Sequence, residues 1–212
     1  MNPALLLQEV AAERPDACAV VFGARRLTYS QLLDRASRLA AAFAELGLGP
    51  DSRVAVLLPN CDDWPVVYHA CAWSGTVIAP VDLRLQATEV EAILGDLEPH
   101  AIIARSDVSD EVAELVERNH PSAPRILVGS GRNGWLDFEA LIRSTRPMPR
   151  PVLRSEEDLS AILYTSGSTG RPKGAMLPFR VWDAFQICLE DLYAPPPNRA
   201  WLIFAPMSHI SG

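Results

Sequence analysis

The chain has 212 residues, of which 49% are hydrophobic and 21% charged, a balance that supports a folded core and excludes a disordered polymer. Its 19 basic and 26 acidic residues give a formal charge of −7, so there is no general basic face for a nucleic-acid backbone and no nucleic-acid partner is expected. The four cysteines, Cys18, Cys61, Cys71 and Cys188, lie far apart without a Cys-x-x-Cys pair, and no signal peptide opens the sequence, so reduced thiols and a cytoplasmic location are expected.

From residue 27 onward, short β-type runs alternate with helical periodicity, which predicts an α/β fold with largely parallel sheets and helices on both faces. Thr28-Tyr29-Ser30-Gln31 has capping-box spacing. The helix it starts carries Leu32, Ala36, Leu39, Ala40, Phe43 and Leu46 on one face and stops at Gly47. Arg53 to Leu58 reads as a strand ended by Pro59-Asn60. Because this apolar run is so short, no transmembrane segment is expected, while peripheral membrane association stays open. A helix with Trp64, Val67, Tyr68 and Cys71 follows and closes at Gly75, and Thr76 to Val81 is the next buried strand. Thr88 to Glu91 offers a second capping box for a helix to about Leu97, and Ala101 to Ala104 is a strand. Ser109 to Arg118 is helical, Arg125 to Val128 a strand and Asp137 to Ile142 a short helix. Residues 143–154 include Pro147, Pro149 and Pro151, so they are expected to lack regular structure and to join two subdomains or domains. Beyond them come a strand ending near Tyr164, a Gly/Ser/Thr loop, a helix around Val181 to Leu192 and a strand from Trp201 to Ala205.

That loop, Tyr164-Thr165-Ser166-Gly167-Ser168-Thr169-Gly170-Arg171-Pro172-Lys173-Gly174, carries the chemistry. Glycines let backbone amides turn toward an anion, hydroxyls add directed donors and a lysine adds a compact positive charge, so the set suits a polyphosphate. It is not a Walker A loop, because Lys173 is followed by Gly174 rather than Ser or Thr.

The segment resembles the phosphate-binding signature of the adenylate-forming superfamily, which includes acyl-CoA synthetases, peptide-synthetase adenylation domains and luciferases. Leu27 to Leu32 resembles the start of that family's first helix, and Val54 to Asp82 its strand-helix-strand. Pro206-Met207-Ser208-His209-Ile210-Ser211-Gly212 is similar to the Pro-Met-x-His-x-x-Gly motif of the acyl-CoA ligase branch. The resemblance covers nearly the whole chain. It implies that residues 1–212 are the N-terminal portion of an AMP-binding domain, without the C-terminal domain. The implied reaction has two steps: a carboxylate attacks ATP to give an acyl-adenylate, and coenzyme A then displaces AMP. Thr165, Ser166, Gly167, Ser168, Thr169, Gly170 and Lys173 would hold the β- and γ-phosphates, with Mg2+ sharing the charge. Lys173 and His209 would be the catalytic residues, His209 near the junction of the nucleotide and acyl pockets. The adenine- and ribose-binding segments, the acidic residue that positions magnesium and the mobile domain with its catalytic lysine belong to later parts of such enzymes. The 212-residue stretch alone is therefore expected to be inactive.

Plainer roles are expected elsewhere. His69, His100 and His120 lack metal-ligand spacing, so no protein metal site is expected; His69 is read as a packing residue of an amphipathic helix. Asp82 is a turn former, Trp64, Trp73 and Trp201 are core residues, and Arg171 points to solvent. Two positions depart from the family pattern: Pro178-Phe179 replaces a Thr-His or Ser-His pair, implying a differently capped helix, and Ser208 replaces an aromatic residue. The competing readings are a non-catalytic truncated homologue or interaction module, and an adenylation domain of a peptide synthetase.

Overall fold

The computed structural model describes residues 2–165, 172–184, 200, 202–203 and 205–208. Two features precede the first helix expected from periodicity: helix α1 (Pro3–Glu13) and a hairpin of β1 (Cys18–Phe22) and β2 (Arg25–Thr28). Asn2 caps α1 by accepting from the amide of Ala4 at 2.9 Å. The helix escaped notice because Leu5 and Leu6 stay partly exposed beside the buried Ala4, Leu7 and Ala11, which blurs the apolar stripe.

Helix α2 (Tyr29–Glu45) has the expected capping box: the Gln31 amide donates to Thr28 Oγ1, and the Thr28 amide donates to Gln31 Oε1. The chain then alternates through β3 (Arg53–Leu57), α3 (Asp63–Ser74), β4 (Val77–Pro80), α4 (Ala87–Leu97), β5 (Ala101–Arg105), α5 (Asp110–Asn119) and β6 (Arg125–Val128). It continues with β7 (Leu136–Asp137), α6 (Phe138–Ser144), β8 (Leu159–Thr165) and β9 (Lys173–Pro178). The seven-stranded sheet has the order β7-β6-β5-β3-β4-β8-β9, parallel throughout except for the final pair.

Consecutive residues of β3 feed two cores. Val54 and Val56 pack with α1, α2, α3 and α6, whereas Ala55 and Leu57 pack with α4 and α5. With both faces covered, the strand reads as a continuous apolar run rather than an alternating one. Helix α3 is likewise not the amphipathic helix expected of it, since Trp64, Val66, Val67, Cys71, Ala72 and Trp73 are buried around most of its circumference. The start of α4 also differs from expectation. Glu89 accepts from the Gln86 amide at 2.9 Å, so the helix begins ahead of Thr88, and Glu91 instead binds Asn119 of α5 at 2.7 Å.

Helix α6 extends to Ser144, into the proline-bearing stretch, after which residues 145–155 have neither helix nor strand. They lie as a strap on the helices: the Met148 amide donates to the Ser37 carbonyl, the Val152 amide to the Trp73 carbonyl and Trp73 Nε1 to the Met148 carbonyl. Gly75 permits this docking. It ends α3 at φ 75°, and a Cβ there would lie 3.2 Å from Arg154 Cδ and 3.3 Å from Val152 Cγ1.

Candidate functional site

Strands β3, β4 and β8 run parallel, so their carboxyl ends share one edge of the sheet, where open α/β folds usually bind ligands. Thr165 is the last residue of β8 and Lys173 the first of β9, and the two are register partners in the antiparallel ladder. Both are exposed. The hydroxyl and the ammonium group thus flank the segment between them. Ser166, Gly167, Ser168, Thr169, Gly170 and Arg171 lie outside the described residues, as does His209.

Strand β9 corrects the sequence reading, which placed Lys173 and Gly174 in the loop and no strand before the next helix. Pairing with β8 satisfies backbone groups that would otherwise form an open sheet edge, and this decides the conformation of a segment with little pattern of its own. Gly174 stands opposite Tyr164, and a Cβ on it would lie 2.8 Å from Ile162 Cγ2 and 3.2 Å from Tyr164 Cζ. This glycine is required by space. Tyr164 Oη donates to Asp96 Oδ2 of α4 at 2.7 Å, and burial, then the bond to Asp96, pushes its phenol well above the ordinary tyrosine range.

Residues 180–184 are helical, and the start of this helix is capped from the preceding segment. The Phe179 and Arg180 amides donate to the carbonyls of Asp158 and Glu156, and Trp182 Nε1 donates to Ser160 Oγ of β8. The Pro178-Phe179 departure thus leaves the helix start anchored by main chain. The strand expected from Trp201 to Ala205 is absent at its described positions. Leu202 and Ile203 are exposed and in no strand, because a strand needs a ladder partner, while Trp201 and Phe204 lie outside the described residues.

The segment 205–208 is instead attached by a side chain the sequence did not single out. Asn60 Nδ2 donates to the Ala205 carbonyl at 2.8 Å, and the Met207 amide donates to Asn60 Oδ1 at 2.7 Å. Two cavities meet here. One, of about 690 Å³, is mostly apolar and includes Leu7, Val20, Tyr29, His69, Asn60 and Met207 in its wall. The other, of about 240 Å³, is lined by Pro59, Asn60, Asp82, Arg84, Pro206 and Ser208. Asp82 is the expected turn former, its Oδ1 accepting from the Arg84 amide at 2.9 Å.

A third cavity, about 310 Å³, opens between the ends of β3 and β5, where the strand order reverses. Its charges already have partners: Arg25 meets Asp62 at 2.7 Å, Arg35 meets Asp63 at 2.8 Å and Glu139 at 2.6 Å, and Arg105 meets Asp107 at 2.9 Å. Burial raises the Asp63 carboxyl above its ordinary range despite Arg35, while the hydrogen bond from Arg35 lowers that of Glu139. Burial also raises the thiols of Cys61 and Cys71, the latter to about 12, so both are held protonated and are poor nucleophiles. Among the described residues, no group of three or more His, Cys, Asp or Glu converges as a metal site, and no helix is long and apolar enough to cross a membrane.

The family model for AMP-binding enzymes matches residues 7–212. The chain belongs to the AMP-binding enzyme family. It is 35% identical over 181 residues to the fatty acid–[acyl-carrier-protein] ligase ScoC of Streptomyces coeruleorubidus, covering 85% of this chain and 34% of that protein. It is 35% identical over 198 residues to a feruloyl-CoA synthase of an Amycolatopsis species, covering 92% of this chain and 37% of that protein. The crystal structure of ATP-bound MatB from Rhodopseudomonas palustris superposes with a TM-score of 0.84 at 25% identity, over 98% of this chain and 41% of MatB. The chain therefore spans about a third of the length of the curated relatives it matches. The residues quoted for the family resemblance thus sit within an AMP-binding enzyme sequence.

Proposed function

We propose that this chain is the front portion of an enzyme that uses ATP to activate a carboxylic acid as its acyl-adenylate and then transfers the acyl group to the thiol of coenzyme A. The observation that carries the reading is the pairing of Thr165 with Lys173 across the mouth of the hydroxyl- and glycine-bearing segment, within a family-matched chain. In the first step a carboxylate oxygen attacks the α-phosphorus, and the bond to pyrophosphate breaks. Thr165, Ser166, Gly167, Ser168, Thr169, Gly170 and Lys173 would hold the β- and γ-phosphates, and the fixed lysine charge would offset the charge gathering on the departing pyrophosphate. The stretch from Tyr164 to Gly174 fits that group because it offers donors and a cation without a single carboxylate to repel phosphate. A Mg2+ accompanying the nucleotide would share with Lys173 the neutralisation of phosphate charge. His209, two residues beyond the anchored Met207, would sit by the reacting carboxylate. In the second step the thiol sulfur bonds to the acyl carbon, AMP leaves, and the thiol proton passes to solvent. We place the reaction in the reducing cytoplasm, in keeping with the unpaired Cys18, Cys61 and Cys71.

The likeness to a fatty acid–[acyl-carrier-protein] ligase favours a second acceptor, the thiol of an acyl-carrier protein. Acid-dependent ATP–pyrophosphate exchange on the full-length protein tests the first step, and offering coenzyme A or a carrier protein in the second step separates the acceptors. Lys173→Ala should lower exchange about 100-fold, the usual cost of losing one aimed donor. The exposed position should keep the stability change within about 0.5 kcal/mol. Equal exchange in mutant and wild type rejects the lysine's role.

A further inference from the structure

We propose that Asn60 is a positioning residue that sets the backbone register of residues 205–208. A side-chain amide presents one donor and one acceptor much as a peptide group does. Asn60 uses both on a single stretch of chain: its Nδ2 takes the Ala205 carbonyl at 2.8 Å and its Oδ1 takes the Met207 amide at 2.7 Å. These two bonds tie residues 205–208, which are in no strand, to the end of β3. Its own position is fixed by β3, whose last residues are buried on both faces, and by the proline that follows them.

Asn60 also stands in the wall shared by the cavity of about 690 Å³ and the one of about 240 Å³. Met207 lines the first, while its neighbours Pro206 and Ser208 line the second. A slip of one residue would put Ser208 in place of Met207 at the larger, mostly apolar wall, at the cost of a hydroxyl's hydration. A slip the other way would present Pro206, which has no N–H, to Asn60 Oδ1 and lose that bond. This fixes the chain path of residues 205–208, which His209 follows in sequence.

The consequence for turnover rests on the ligase reading, whereas the anchoring itself does not. Both are tested on the full-length protein with Asn60→Leu, which keeps volume but has no polar atoms, and Asn60→Asp, which keeps the acceptor for the Met207 amide and loses the donor to Ala205. Hydrogen exchange of the Met207 amide should speed up about tenfold in Asn60→Leu and stay near wild type in Asn60→Asp. The KM for the carboxylic acid should rise about tenfold in Asn60→Leu, with an intermediate rise in Asn60→Asp, while the KM for ATP stays within about twofold, since the acid faces the segment that has moved. A merely structural role would shift both KM values together or neither. Wild-type protection of Met207 in Asn60→Leu overturns the proposal. So does an unchanged acid KM in an active enzyme, and in that case the ligase reading stands. If no acid supports exchange by the wild type, the ligase reading fails and the Met207 amide still decides the anchor.

Discussion

The parallel body and the β8–β9 end of the same sheet are held by different means. In the body, β3 pairs with β4 and β5, and β5 with β6, through four register partners each, and side chains on both faces are buried. At the other end β8 joins β4 through the single register pair Ile78 and Ala161, and β9 leaves Lys173 and Met176 exposed. Packing thus dictates the body, whereas β9 is placed by its ladder with β8 and residues 205–208 by the two bonds to Asn60. Thr165 and Lys173, which border the segment proposed to hold phosphate, are thus exposed at the sheet's edge.

The sharpest way to break this contrast is Arg35→Ala. Arg35 is 16% exposed and binds Asp63, itself 8% exposed, and Glu139, so it ties α2 to α3 and α6. Its removal leaves a buried carboxylate without its guanidinium and should cost about 3–5 kcal/mol in denaturant unfolding. A cost under about 1 kcal/mol would show that the body does not depend on this network. A smaller effect is expected from pH. His69 lies between α3 and α1, with the Pro3 carbonyl accepting from its ring, and burial lowers its pKa to about 4. The unfolded histidine titrates near ~6.5, so as pH falls from there toward 4 the unfolded chain binds a proton that the folded chain refuses, and stability drops by at most about 3 kcal/mol. His69→Gln should flatten that slope, as measured by unfolding at a series of pH values. An unchanged slope would place the acid sensitivity elsewhere.

The sequence was most legible where covalent pattern and burial agree. The Thr28/Gln31 cap, the stop at Gly75 and the apolar runs of β3 to β6 all carry local signals that tertiary packing reinforces. Strand β9 was not legible, because its conformation comes from the edge of β8 rather than from its own residues. The Arg25–Asp62 and Arg35–Asp63–Glu139 ion pairs were equally hidden, since their partners lie on different elements. At the candidate site the types Thr165 and Lys173 could be read from the motif, but their pairing across the hairpin could not. Asn60 had a signal of sorts, a polar residue directly after Pro59 at a strand end. Its partners lie 145 and 147 residues away, beyond any local pattern.

The finest test of the contrast is Tyr164→Phe. The phenol donates to Asp96 at 2.7 Å, the ring lies over Gly174, and Asp96 itself is exposed on α4. Phenylalanine keeps the ring and so the steric match to Gly174, removing only the bond across to the body. If this bond helps to hold the hairpin end to the body, the loss should be about 1 kcal/mol, and local opening of the β8–β9 end should become roughly fivefold easier. Amides of β9 should then exchange about fivefold faster while those of β3 and β5 that open without releasing Tyr164 keep their rates, and the unfolding midpoint shifts only by that ~1 kcal/mol. Uniform acceleration through both regions would mean that the hairpin opens only when the whole sheet does. In that event the difference between rim and body would be one of exposure and not of stability, and the phosphate-loop end would be as rigidly held as the core behind it.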